Sequence, residues 1–167
     1  SEPEFWRFRE SSEDVFSLSS IIRRVTNWTS VSDELYRQST HFLLELIQHA
    51  DDNSYDTSSG ITPTLDISLY DDYLRVDCNE TGFAPGNVEA ICKVGCSTKA
   101  GAGSATSYAG EKGIGFKSVF KISDVVYINS CNYSFKFEKD GLLGMIAPIW
   151  CDFPANTKSG HTTIFMH

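Results

Sequence analysis

Three groups of residues in this chain have types and spacings that could do chemistry. The first is Tyr108-Ala-Gly-Glu-Lys-Gly-Ile-Gly-Phe-Lys-Ser-Val-Phe120, with glycines at 110, 113 and 115 running into an apolar, helix-like stretch. Glycine lets a ligand come close to the backbone. A helix that starts there turns its unpaired N–H groups and the positive end of its dipole towards the bend, which makes an anion site suited to phosphate. The second group is Glu45, His49 and Asp52, which fall at i, i+4 and i+7 of a helical pattern and so share one stripe. The third is the turn Glu80-Thr-Gly-Phe-Ala-Pro-Gly86, with a late Gly160-His-Thr162. Taken singly, the glycine spacing also fits a tight connection and the acidic stripe also fits a solvated helix face. Together they point to a nucleotide pocket.

The elements that must position these groups follow from periodicity. Ser11-Ser-Glu-Asp14 is a helix-start signal, and Val15, Leu18, Ile21, Ile22 and Val25 continue at helical spacing. Asp33 to Asn53 is the strongest helix, with Leu35, Leu43, Leu46, Ile47 and Ala50 as its apolar stripe. Leu65–Leu69 and Tyr73–Cys78 alternate and read as a hairpin. Asn87 is placed to cap a short helix over 88–94. Residues 97–109 are small and have little to bury, as in a disordered segment or a lid. Ile114–Lys121 reads as helical. Val125–Ser130, Tyr133–Glu138, Leu142–Ala147 and Thr162–Met166 read as strands, with Gly141 in a turn. The order predicts an α+β fold, with helices on one face of a mostly antiparallel sheet. Residues 1–32 form an arm and helix, and residues 33–167 the main domain.

Composition narrows the function. The 167 residues, 41% of them hydrophobic, can bury a core. A formal net charge of −8 argues against a general nucleic-acid or anionic-membrane surface. Lys93, Lys99, Lys112, Lys117 and Lys121 nevertheless gather around the glycine stretch; Lys117 reads as a surface lysine. No apolar run is long enough to span a bilayer. Five cysteines without a C-x-x-C pair read as free thiols of a cytoplasmic or nuclear protein, which makes the sequons at Asn27, Asn79 and Asn132 coincidental. The closing Thr162-Thr-Ile-Phe-Met-His167 reads as a strand continuing a longer protein, so the expectation is an excised domain.

The phrases Leu43-Leu-Glu-Leu-Ile-Gln-His-Ala-Asp-Asp-Asn53, Gly95-Cys-Ser-Thr-Lys99 and Gly110-Glu-Lys-Gly-Ile-Gly-Phe-Lys-Ser-Val-Phe120 together resemble the GHKL ATPases. That class includes the large heat-shock chaperone (heat-shock protein 90), DNA gyrase, MutL and the histidine kinases. The nearest likeness is to chaperone-type domains of the sacsin and NO VEIN type, over roughly residues 33–167. The resemblance implies a Bergerat fold, a two-layer α/β sandwich that binds ATP or ADP with magnesium. It matches Glu45 to the general base that activates water and Asp52 to the acid that closes the helical motif. His49 stands where the family has a magnesium-ligating asparagine. Imidazole suits zinc, copper or nickel better than magnesium, so His49 is at best a weak metal ligand, or a phosphate contact when protonated.

The resemblance also places the base-reading box at Asp77-Cys-Asn-Glu-Thr-Gly-Phe83. Aligning Gly82 with the family's last glycine puts Cys78 at the position of the adenine-reading acid. Asn79 is the preferred substitute reader and Glu80 the second choice; neighbouring strand residues face opposite ways, so at most one looks inward. Thr162 matches a threonine that supports adenine. Gly110, Lys112, Gly113 and Gly115 match the box over the phosphates, and Lys99 is either a phosphate contact or a solvated lysine. The implied activity is slow ATP hydrolysis that drives conformational change in a larger protein, with a homodimer as the assembly. A degenerate module acting as a protein-interaction platform is the alternative. A zinc site from His41, Glu45, His49 and cysteines lacks a third ligand at a recognisable spacing.

Overall fold

The computed structural model describes residues 6–10, 33–92, 116–141, 144 and 146–167. In chain order its elements are β1 (Trp6–Glu10), α1 (Asp33–Asp52), β2 (Leu65–Leu69), β3 (Leu74–Cys78), α2 (Pro85–Cys92), a 3-10 helix (Lys117–Lys121), β4 (Val125–Ser130), β5 (Tyr133–Glu138), β6 (Ile149–Trp150) and β7 (Thr162–Met166). Alternating side chains make the hairpin β2–β3, with Leu65 opposite Cys78 and Leu69 opposite Leu74. The last strand, β7, enters between β3 and β4 and runs antiparallel to both. The result is a sheet in the order β1-β2-β3-β7-β4-β5-β6. It is antiparallel except for the β1–β2 pair. The fold is α+β.

One face of this sheet meets the helices. Leu65, Ile67, Leu74, Val76, Val126, Ile128, Phe135 and Phe137 share a single core with Phe42, Leu43, Leu46 and Ala50 of α1, Val88 of α2, and Phe116, Val119 and Phe120. Aliphatic spacing along α1 therefore does what the sequence predicts, though its largest buried contributor, Phe42, was not among the expected stripe. Burial of each such side chain is worth about 1.5–3 kcal/mol.

The opposite face is held by charge. Asp77 is 1% exposed. Arg75 donates to both of its oxygens, at 2.8 and 2.9 Å, and Thr163 Oγ1 donates at 2.7 Å. Lys158 reaches Asp77 at 3.1 Å and Asp66 at 3.2 Å, while Arg75 also donates to the Asn156 carbonyl at 2.7 Å. The connection from β6 to β7 is thereby clasped to the back of the sheet.

Several local expectations are corrected. Trp6–Glu10, expected as part of an arm, adds to the sheet as a parallel strand beside β2. The helix expected over 88–94 starts at Pro85. Proline suits a first helical turn, and Asn87 caps from inside it, its Oδ1 accepting the Ala84 N–H at 2.8 Å. The helix expected over 114–121 is, at Lys117–Lys121, a 3-10 helix. The strand expected over 142–147 is not there in its described residues. Gly141 donates to the Glu138 carbonyl and Gly144 to the Gly141 carbonyl, each the three-residue step of a turn. Pairing resumes only at Ile149–Trp150. The expected helix over residues 11–25 and the small-residue stretch 97–109 lie outside the described residues.

Burial alone would raise the Asp77 pKa, but the hydrogen bonds from Arg75 and Thr163 and the charge of Lys158 outweigh it and hold the carboxyl below its ordinary value. Such a group stabilises the fold fully above the ordinary carboxylate pKa, and that contribution is lost as pH falls through the lowered folded value. Asp77→Ala, which leaves the half-buried Arg75 without its carboxylate while Lys158 keeps Asp66, is expected to cost about 3–5 kcal/mol in urea unfolding at pH 7. The difference between variant and wild type should shrink in acid.

Candidate functional site

A cavity of about 350 Å³ opens between the last turn of α1, the ends of β3 and β7, and α2. Its walls are mainly apolar, from Leu46, Leu65, Val76, Phe83, Ile91 and Ile164, among others. Six polar side chains line it: His49, Asn53, Cys78, Glu80, Asn87 and Thr162. A mostly apolar hollow of this size with a few polar groups is the usual form of a small-molecule site.

The sheet register decides which residues look in. Cys78 sits opposite Thr162, and Asp77 opposite Thr163. Cys78 and Thr162 therefore face the cavity, while Asp77 and Thr163 face the charged back. Both inward residues are buried. The Cys78 sulfur lies 3.2 Å from the Tyr55 hydroxyl, which in turn donates to the Ala50 carbonyl at the end of α1. Burial, together with hydrogen bonding to Cys78, pushes the Tyr55 pKa well up. Burial likewise raises the Cys78 pKa, so the thiol keeps its proton. Thr162 Oγ1 is 2.6 Å from Ser130 Oγ, which accepts the Phe83 N–H at 2.8 Å.

The lip of the cavity is set by Gly82. Its φ is +86°, and a β-carbon there would collide with the Cys131 sulfur on the β4–β5 turn. Cys131 itself has φ 52° and its thiol approaches the Thr81 carbonyl at 3.7 Å. Two tight turns are thus pressed together, and the turn carrying Glu80 rests on the other.

Of the residues singled out in the sequence, His49, Glu80 and Thr162 come together at this cavity. Glu45 does not line it; its carboxylate lies 3.5 Å from His41 Nε2, one turn away on α1. Asp52 is exposed near the end of α1. Asn79, the preferred reader of a base, is turned elsewhere. Its Oδ1 accepts the Thr64 N–H at 2.7 Å and its amide donates to the Thr62 carbonyl at 2.9 Å, so its side chain closes the loop before β2. Of the two candidates, Glu80 lines the cavity. Lys99, Gly110, Lys112, Gly113 and Gly115 lie outside the described residues. Lys117, expected on the surface, is half-buried over the Phe137 ring at 4.6 Å. Burial pushes its pKa down to about 8, with Cys92 opposing the shift.

Sequence reasoning missed Asn53, Tyr55, Phe83 and Asn87. Asn53 had a signal, since it follows His49 by one helical turn; the others reach the site through the fold. Among the described residues no group of three or more His, Cys, Asp or Glu side chains could hold a metal ion. Cys78, Cys92, Cys131 and Cys151 are free thiols, and no helix described is long and apolar enough to cross a membrane.

No protein-family model matches the chain. Over 119 residues, 71% of its length, it is 49% identical to Protein NO VEIN of Arabidopsis thaliana. The chain is similar to a segment of NO VEIN. That segment is small, because the match takes in 4% of the NO VEIN protein. The likeness to NO VEIN supports that part of the sequence-based resemblance.

The glycine at the lip gives a direct check of the geometry. Gly82→Ala is expected to destabilise by about 1–2 kcal/mol from its backbone conformation, plus the cost of the collision. Adding Cys131→Ala should recover only the second part. Denaturant unfolding of the two single variants and the double variant measures both.

Proposed function

We propose that this chain is a GHKL-type, heat-shock protein 90-like domain that binds an adenine nucleotide and couples its binding to conformational change in a larger protein. The reading rests on one observation: His49 of the Glu45–Asp52 helical motif, Glu80 of the turn after β3, and Thr162 of β7 line the same largely apolar cavity. Its apolar walls fit a purine and ribose. The phosphates would fall to the Gly110–Gly115 box and Lys99, as the resemblance implies. The described residues do not fit magnesium well. His49 offers nitrogen where magnesium takes oxygen, and no carboxylate cluster stands beside it. ATP supplies a phosphoanhydride whose hydrolysis needs a positioned water and charge compensation. In this chain Glu45 is the residue to hold and deprotonate that water, and its position off the cavity in this conformation makes turnover slow.

A specific observation favours the second reading, a degenerate module that serves as an interaction platform. The wall position aligned with the family's acid is a buried thiol, and Asn79 is committed to backbone. Thermal unfolding separates the two. ATP or ADP at a hundred times its dissociation constant should stabilise the domain by about 2.7 kcal/mol, a shift of roughly 5–10 °C at this size. Ala90→Trp, which fills the cavity from α2, should abolish the shift. No shift at millimolar nucleotide, with or without magnesium, would contradict nucleotide binding and favour the platform instead. For hydrolysis, phosphate release should be slow or undetectable and should vanish in Glu45→Ala; robust release that survives this substitution contradicts the role of Glu45.

A further inference from the structure

The polar groups in the cavity wall bear on which base it accepts. Strong discrimination between similar ligands needs buried hydrogen-bonding groups that the wrong ligand leaves unpaired; apolar walls give far less. Of the six polar side chains lining the cavity, Cys78 and Thr162 alone are buried. Both are poor readers, for reasons the hydrogen bonds make plain.

Cys78 is already engaged. The single Tyr55 O–H goes to the Ala50 carbonyl, so across the 3.2 Å contact the thiol is the donor and Tyr55 the acceptor. A sulfur so occupied is a weak partner for a base. Thr162 is paired with Ser130, and Ser130 accepts the Phe83 N–H. Either hydroxyl of that pair can be the donor. Thr162 can therefore show a ligand a proton or a lone pair according to which way the pair is turned, and so suits an acceptor or a donor on either base. The nearest strand carboxylate, Asp77, faces the other side of the sheet under Arg75, Thr163 and Lys158.

Glu80 lines the cavity as a half-exposed carboxylate. An ionised carboxylate only accepts. It can accept from the 6-amino group of adenine or from the N1–H and 2-amino group of guanine, the second with two bonds, and since the group is partly exposed, water competes for it in both cases. His49, Asn53 and Asn87 are not buried, so water can replace whatever they lose.

We propose that the cavity reads the shape of a purine and not its identity, so that it takes adenosine and guanosine nucleotides alike. This rests on the nucleotide-binding reading above. Calorimetric titration of the domain with ATP and, separately, GTP tests it, and dissociation constants within about tenfold of one another are expected. Cys78→Ala removes a sulfur that has no part in choosing the base, and should leave the ratio of the two constants within about tenfold. If that variant does not fold, the wild-type ratio still decides. ATP binding a hundredfold tighter than GTP would overturn this proposal and leave nucleotide binding intact. Binding of neither nucleotide would overturn both.

Discussion

The Asp77 carboxylate, buried and held by Arg75, Thr163 and Lys158, is the interaction on which the rest depends. It ties β3 to β7 side by side and pins the returning segment 151–161 across the back of the sheet. A buried charge of this kind is weak evidence for stability, but removing any one of its partners leaves charge unpaired in the sheet. The arrangement it holds is the one in which Cys78 and Thr162 stand opposite each other. The front of the sheet at this point is thus defined by what happens on its reverse side.

The cavity is the place where the front core stops short. Along β3 and β7 the inward side chains pass from Met166 and Leu74, both fully buried, to Cys78 and Thr162 at the other end. The last two are small, and the hollow beside them is walled by Leu46, His49 and Ala50 of α1, by Asn53 just after it, and by Ala90 and Ile91 of α2. Among the described residues a gap of about 350 Å³ interrupts the layer there, and the side chains around it forgo the contacts a filled core would give them. Its polar groups gather at the rim and at the Cys78–Thr162 end, which gives the hollow a direction.

Much of this was legible beforehand, and the reasons differ by element. The α1 helix showed through the spacing of Leu43, Leu46 and Ala50, and β4, β5 and β7 through alternation, because burial on one face writes its period into the chain. That one residue of a neighbouring pair faces inward also followed from strand geometry alone. Which side chain does so past the end of β3 did not follow. Asn79 is captured by the Thr62 and Thr64 backbone, a partner 15 to 17 residues away that no local pattern announces. Lys117 reads as a solvated lysine until Phe137 is brought beneath it. The strand expected at 142–147 failed for a local reason, since Gly141 and Gly144 each donate at the three-residue step of a turn. The glycine-rich stretch from 110 to 115, the strongest motif in the sequence, lies outside the described residues and still rests on sequence.

The opposite facing of Asp77 and Cys78 has an evolutionary consequence. An acid lies one position from the hollow, yet it is out of reach there, because moving it inward would turn every side chain of β3 over and expose Leu74 and Val76. Descendants of this domain can therefore acquire a base-reading carboxylate by a point change at Cys78, but not by sliding the strand. A substitution at Cys78 leaves the strand register untouched, whereas a one-residue change in the hairpin does not.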